Sequence, residues 1–164
     1  MTFFSEYGED AWIAGNLSLP TTGFFVDIGC ATPDLGSNTA FLRRMGWTGL
    51  AIDGADYHQR WAGTGSRFVV AVLDEEAGRP VLFANQLLVP QIVPHGTEAQ
   101  QRTTTTLELI LKDQKVEQID FLSIDIEGYE YAVLKSLDLD RFKPAVIVAE
   151  YNTVGKIDFR LHDH

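Results

Sequence analysis

The sequence predicts a single α/β domain built on a mainly parallel sheet with helices on both faces. Three observations predict it. Short apolar runs alternate with segments of helical period, the pattern of a parallel sheet connected through helices. The runs end in acidic residues or glycine, as in "FFVDIG", "LAID", "LSIDIEG" and "VIVAE", and the carboxyl ends of parallel strands are where such folds bind ligands. The chain has 164 residues, 45% of them apolar, which suits one normal core.

The elements follow in order. A helix is expected near residues 5 to 15. "GFFVDIG", residues 23 to 29, reads as a buried strand with a glycine at each end. In "SNTAFLRRMG", Ser37 can cap a helix, Phe41, Leu42 and Met45 share a face, and Gly46 can end it. "TGLAID" is a second strand and "RFVVAVL" a third; "RPVLFA" is expected to return as an antiparallel partner after the turn "DEEAG". A helix should start at Thr106, with Leu107, Ile110 and Leu111 on one face. "IDFLSIDIEG" is the fourth strand, "YEYAVLKSL" a helix, and "PAVIVAEYN" the fifth strand, with proline at its start where a missing N–H is tolerated. Residues 85 to 102 contain two prolines and no clear period. They read as a long loop, a candidate lid over a site.

Charge and composition exclude some functions. A formal net charge of −10 argues against a nucleic-acid backbone or an anionic membrane surface as partner. No apolar run is long enough to span a bilayer, and the start "MTFFSEYGED" lacks the pattern of a signal peptide. A cytoplasmic protein is the expectation. The single cysteine, Cys30, excludes an intrachain disulfide.

The site is read from the strand ends. Gly29 lets the chain turn off the first strand and bring backbone N–H groups near a ligand. A dinucleotide loop needs Gly-x-Gly-x-x-Gly there, and this chain has Ala31 and Thr32 after Gly29. Asp27 can attract a cationic ligand. Asp53, 26 residues later at the end of the second strand, can accept the two hydroxyls of a ribose. Free ribose hydroxyls without a pyrophosphate, next to acidic groups, describe S-adenosyl-L-methionine. A second acidic cluster, Asp125, Glu127 and Glu130, leaves the fourth strand, and Glu150 with Asn152 leaves the fifth. Parallel neighbours lie about 5 Å apart, so Asp125, Glu127, Glu150 and Asn152 can converge. Clustered carboxylates share a proton, stay apart in solvent, or hold a cation. Glu130, and Glu127 in part, also read as acids at the positive end of the following helix.

These motifs together resemble FkbM-type methyltransferases, which use S-adenosylmethionine and typically methylate hydroxyl groups. The resemblance is carried by "SEYGEDAWI", "GFFVDIG", "SNTAFLRRMGWTGLAID", "TTLELILKD", "IDFLSIDIEGYEYAVLKSLD" and "PAVIVAEYN". It implies a Rossmann-like class I methyltransferase fold, a three-layer sandwich around a mostly parallel twisted sheet. Only 14 residues follow Glu150, so the fold is expected to be shortened at its C-terminal end. The resemblance assigns Asp27, Gly29, Cys30 and Ala31 to the first cofactor motif and Asp53 to the ribose. It places Ser37 and Asn38 near the methionine part, Val72 to Asp74 near the adenine, and Asp125 with Glu127 at the active-site edge. The family commonly carries Ala-Asn-Asp-Gly after the glycine, where this chain carries Cys30-Ala31-Thr32-Pro33.

A hydroxyl acceptor must lose its proton, and Glu127 is the candidate general base. Alternatively, Mg2+ or Mn2+ held by Asp125, Glu150 and Asn152 would lower the hydroxyl's pKa. His95 is a further candidate base on the lid. Cys30 reads as a small residue packed under the cofactor. The expected partner is a small molecule bearing a hydroxyl, with a sugar as the family-level choice, and an incomplete sheet edge is a reason to form a homodimer. The rival class is a non-catalytic binding or scaffold protein that keeps the fold, motivated by Pro33 and the short C-terminus.

Overall fold

The structure, a computed structural model, describes residues 2–86, 89–93 and 99–151. Five strands form the central sheet: β1 (Phe24–Ile28), β2 (Thr48–Asp53), β3 (Arg67–Val70), β8 (Phe121–Ile124) and β9 (Val146–Ala149). Their order is β3-β2-β1-β8-β9, and every pairing is parallel.

Alternation along β1 and β2 explains the layers, because successive side chains leave opposite faces of a strand. Val26, Ile28, Leu50 and Ile52 face one way. There they meet Leu107, Ile110 and Leu111 of α4 (Leu107–Asp113), Val133 of α5 (Glu130–Lys135) and Phe142 of α6 (Leu139–Phe142). Phe25, Ala51 and Phe121 face the other way. They pack on Ile13 of α1 (Glu9–Asn16), Phe41 and Leu42 of α2 (Ala40–Arg44) and Trp61 of α3 (His58–Trp61). The result is the three-layer, Rossmann-like sandwich that the alternation predicts.

Local chemistry sets several boundaries. Thr106 caps α4, its hydroxyl accepting the Leu109 N–H at 3.3 Å. α2 starts at Ala40 with Thr39 as the cap residue. Ser37 still serves the helix start, since its hydroxyl accepts the N–H groups of Thr39 and Ala40 at 3.2 and 3.1 Å.

Three expectations are corrected. "RFVVAVL" is not one strand. The ladder with β2 ends at Ala71, whose N–H donates to the Asp53 carbonyl at 2.8 Å. Beyond it, β4 (Val72–Leu73) joins a second sheet, of order β4-β7-β5-β6. "RPVLFA" begins β5 (Pro80–Gln86), whose antiparallel partners are β6 (Val89–Val93) and β7 (Ala99–Thr105) rather than the third strand. In place of the expected long loop, the described residues of the stretch from 85 to 102 lie in β5, β6 and β7. This second sheet packs on the end of β2. Phe83 and Val81 cluster with Ala55 and Val72, and a Cβ on Gly54 would lie 2.3 Å from the Phe83 ring.

No helix among the described residues is long and apolar enough to cross a membrane.

Candidate functional site

All five central strands run the same way, so their carboxyl ends share one edge. The chain proceeds from β1 outward to β2 and β3, then resumes on the opposite side with β8 and β9. Strand order thus reverses at the β1–β8 pair, where open sheets of this kind form a ligand crevice. The ladder continues one residue past several strand ends. Gly29 N–H donates to the Ile52 carbonyl, Asp125 N–H to Ile28 and Glu150 N–H to Ile124, each at 2.9 Å. Gly29, Asp125 and Glu150 therefore stand side by side along the rim.

Gly29 is required twice. Its φ of +73° is left-handed, and a Cβ there would lie 1.6 Å from the Asp125 carbonyl oxygen. The loop that follows turns its N–H groups inward. Cys30 N–H points to the Ile52 carbonyl at 3.4 Å, and Ala31 N–H donates to Asp53 Oδ2 at 2.9 Å. The expectation that these N–H groups are held out to a ligand is thus corrected: β2 takes them.

The two acids of this half are buried. Asp27 is 5% exposed and Asp53 4%. Asp27 Oδ2 accepts the Thr39 hydroxyl at 2.6 Å. Burial raises its carboxyl to about 6, opposed by the Thr39 hydroxyl and Arg43 and reinforced by Asp53. Asp53 accepts the N–H groups of Ala31 and Ala55 at 2.9 and 2.8 Å, and burial still raises its pKa. A carboxylate has about four acceptor sites, so Asp53 retains capacity for further donors. Asn38 donates to the Ser123 hydroxyl at 3.3 Å, bridging α2's approach to β8. The Cys30 thiol is held well above its ordinary value by burial, then by Asp27 and Asp53. A thiol kept protonated is no nucleophile.

The other half is open. Asp125 and Glu127 are exposed and Glu150 half-buried, yet one carboxylate oxygen from each lies within 4.8 Å of the others. Desolvation raises the Asp125 pKa first; a hydrogen bond with Glu150 opposes this, and Glu127 and Glu130 add to it. The loop is shaped by Glu130, whose Oε1 accepts the N–H groups of Ile126 and Gly128, both at 3.0 Å. To present those two donors, Glu127 and Gly128 take φ of +59° and +101°. Glu130 therefore ties down the start of α5, and Glu127 stands exposed at the rim.

Two other expected site residues follow the end of β3. Val72 and Asp74 belong to the second sheet and its exit. Asp74 is buried, accepts the Glu75 N–H at 2.7 Å and pairs with Arg79 at 3.0 Å. His95 and Asn152 lie outside the described residues.

Sequence reasoning missed Tyr7, Thr39, Arg43, Trp61 and Ser123. Tyr7 is 82% exposed and stands near enough to feel Glu150: Glu6 chiefly, then slight desolvation, Glu150 and Glu9 raise its pKa. It is carried there by a built turn. Ser5 bridges to Gly36, and buried Asp10 accepts the Ser5 hydroxyl at 2.6 Å and the Ala11 N–H at 2.8 Å. The signal in the sequence was "SEYGED", whose serine and aspartate clasp one another.

A parallel sheet with a switch point, acids buried at β1 and β2 and further acids grouped at the ends of β8 and β9, defines a Rossmann-like fold. Residues 32–164 match the model of the methyltransferase FkbM domain. The chain belongs to that family and carries a methyltransferase domain. The match begins after Ala31, so β1, Asp27 and Gly29 precede it. No curated protein and no solved structure matches the chain.

Proposed function

We propose that the protein transfers a methyl group from S-adenosyl-L-methionine to a hydroxyl of a small molecule, a sugar or a natural product. The observation that carries this reading is the meeting of Asp125, Glu127 and Glu150 within 4.8 Å beside Gly29, at the switch point of a methyltransferase-family fold.

The chemistry of the residues fits the cofactor. Asp27, Asp53 and Asp125 suit its ammonium and sulfonium charges. Asp53, with acceptor sites left over from Ala31 and Ala55, suits a ribose diol. Gly29, Cys30, Ala31, Ser37 and Asn38 would line the methionine side. Bound there, S-adenosylmethionine supplies an activated methyl with a good leaving group. The protein supplies alignment and proton removal. Glu127, at the rim, takes the acceptor hydroxyl's proton. Asp125 and Glu150, close enough to interact, would share a proton next to it and so keep the pocket's charge down.

The same three carboxylates form an all-oxygen set suited to Mg2+ or Mn2+, which would acidify the hydroxyl instead. Turnover by Glu127→Gln, assayed with and without chelator, separates the two routes. Loss with the variant but not with chelator supports the base, and loss with chelator supports the ion. Full activity in both conditions ends this account of the acids.

A second reading, binding without turnover, is favoured by the inward-facing N–H groups of residues 30 and 31. Calorimetry with S-adenosylmethionine addresses it. Binding with no methyl transfer to any hydroxyl acceptor supports the scaffold; no binding at millimolar cofactor removes the proposed enzyme.

A further inference from the structure

Between α2 and α3, two side chains hold the loop that follows Gly29. Arg43 donates through Nη2 to the Pro33 carbonyl and, at 3.2 Å, to Asp34 Oδ1. Trp61 donates its indole N–H to the Ala31 carbonyl at 2.9 Å. The two are one unit, because the Arg43 guanidinium lies 5.3 Å from the Trp61 ring centroid and Trp61 is stacked in turn on Phe68. Three successive kinds of backbone constraint thus converge on residues 31 to 34. Asp53 takes the Ala31 N–H, Trp61 the Ala31 carbonyl and Arg43 the Pro33 carbonyl. Ala31 is thereby kept at φ of +39°, a left-handed conformation that a non-glycine residue avoids when free.

The arrangement is poorly suited to a purely structural role. The Arg43 side chain is only 10% exposed, and its Nε–H has no hydrogen-bond partner among the described residues. A buried cation with an unmet donor is a liability that an apolar residue of similar length would relieve. What it fixes is the strained loop that follows Gly29.

We propose that Arg43 and Trp61 are positioning residues that set the shape of the 31–34 loop for the amino-acid end of the cofactor. This rests on the S-adenosylmethionine reading above. The hydrogen bonds of the pair go to the loop at Ala31, Pro33 and Asp34, so its expected action is on recognition of the methionine part more than on nucleoside recognition at Asp53.

The test uses the full chain and two probes, S-adenosylmethionine and 5′-methylthioadenosine, which lacks the amino-acid end. Their affinities are measured by calorimetry for the wild type, Arg43→Met, Arg43→Lys and Trp61→Phe, with a thermal melt for each. For Arg43→Met and Trp61→Phe, S-adenosylmethionine should bind about tenfold or more weakly, roughly one lost charged or neutral hydrogen bond's effect on loop order. Methylthioadenosine should stay within about twofold, and Arg43→Met should melt no lower than the wild type by more than a few degrees. Arg43→Lys, which keeps the charge but not the planar stack or the fork, should recover only part of the loss. Equal weakening of both probes, or no weakening of either, overturns the positioning role while leaving the enzyme reading intact. A wild type that binds neither probe overturns that reading and this inference with it. Should Arg43→Met fail to fold, Trp61→Phe, which keeps the ring stack, carries the same comparison.

Discussion

The two halves of the crevice use the same chemical group in opposite ways. On the β1–β2 side, Asp27 and Asp53 are buried, hydrogen-bonded to Thr39, Ala31 and Ala55, and face the layer formed by α1 to α3. On the β8–β9 side, Asp125 and Glu127 are exposed and crowd together with Glu150. The first pair builds the loop; the second set faces whatever enters. A carboxylate at a strand end is therefore not a uniform signal. Its position relative to the end of the strand decides its fate. Asp27 is the fourth residue of β1 and points into a packed layer. Asp125 is one residue beyond β8, where the sheet no longer covers it.

The contact between the halves is the first place to break this comparison. Gly29→Ala places a Cβ on the Asp125 carbonyl and a non-glycine residue at φ of +73°. Both loops must move. The expected loss is about 4 kcal/mol or more, a fall in melting temperature of about 10 °C or more, with cofactor binding abolished. A melt within a few degrees of wild type would show that the two loops are not held together at Gly29.

Substitution on the open side should affect chemistry and spare the fold. Glu127→Gln is expected to lower kcat by about 10²-fold or more, the range of a lost general base, while the melting temperature stays near wild type. Glu127→Gly makes the companion test. It removes the strain of φ +59° and should raise stability by up to about 1 kcal/mol, yet lose turnover as the glutamine variant does. Turnover retained in both would return Glu127 to the status of a loop residue.

Substitution on the buried side should alter the pH dependence of stability. The Asp27 carboxyl is raised from 3.8 to about 6 in the folded chain, chiefly by burial. An acid raised by folding is favoured when protonated. Its contribution is fully present below pH 3.8 and is lost as the pH rises through about 6. The roughly two-unit gap corresponds to about 3 kcal/mol. Asp27→Asn keeps an acceptor for Thr39 and removes the ionisation. The difference in unfolding free energy between variant and wild type should therefore shift in the variant's favour from pH 4 to pH 7, by up to that amount. Denaturant unfolding at several pH values measures it, and a pH-independent difference would mean that Asp27 is less enclosed than its neighbours make it.

The comparison also explains how much was legible beforehand. The five central strands were readable because burial on both faces makes a parallel strand continuously apolar, as in β1 and β8. The amphipathic face of α4 was readable from Leu107, Ile110 and Leu111, and Gly29 from its place after an apolar run. β6 and β7 were not, because "AQQRTTT" is polar and β6 contains Pro90, which is tolerated at a sheet edge. The break at Ala71 was invisible for a different reason: "RFVVAVL" is locally uniform, and what divides it is a change of neighbour, from β2 before Ala71 to β7 after it. Within the site, residue types were legible and burial was not. Nothing local tells Asp27 from Asp125, and nothing near Arg43 or Trp61 announces that they meet the loop at 31 to 34.

The smallest expected effect belongs to Tyr7, which sharpens the boundary of the open half. The Ser5–Asp10 clasp and the bridge to Gly36 hold an exposed phenol in the field of Glu6, Glu150 and Glu9. A ring so placed offers the acceptor an apolar face beside the acids, an interaction of about 0.5–1.5 kcal/mol for an aromatic contact. Tyr7→Ala should then raise KM for the acceptor by about two- to tenfold, with kcat and cofactor affinity unchanged. Tyr7→Phe, which keeps the ring, should restore KM. If both variants lower kcat instead, the hydroxyl belongs with the acids that handle the proton, and the open half extends to the N-terminal turn. If neither changes KM nor kcat, acceptor recognition is confined to the ends of β8 and β9.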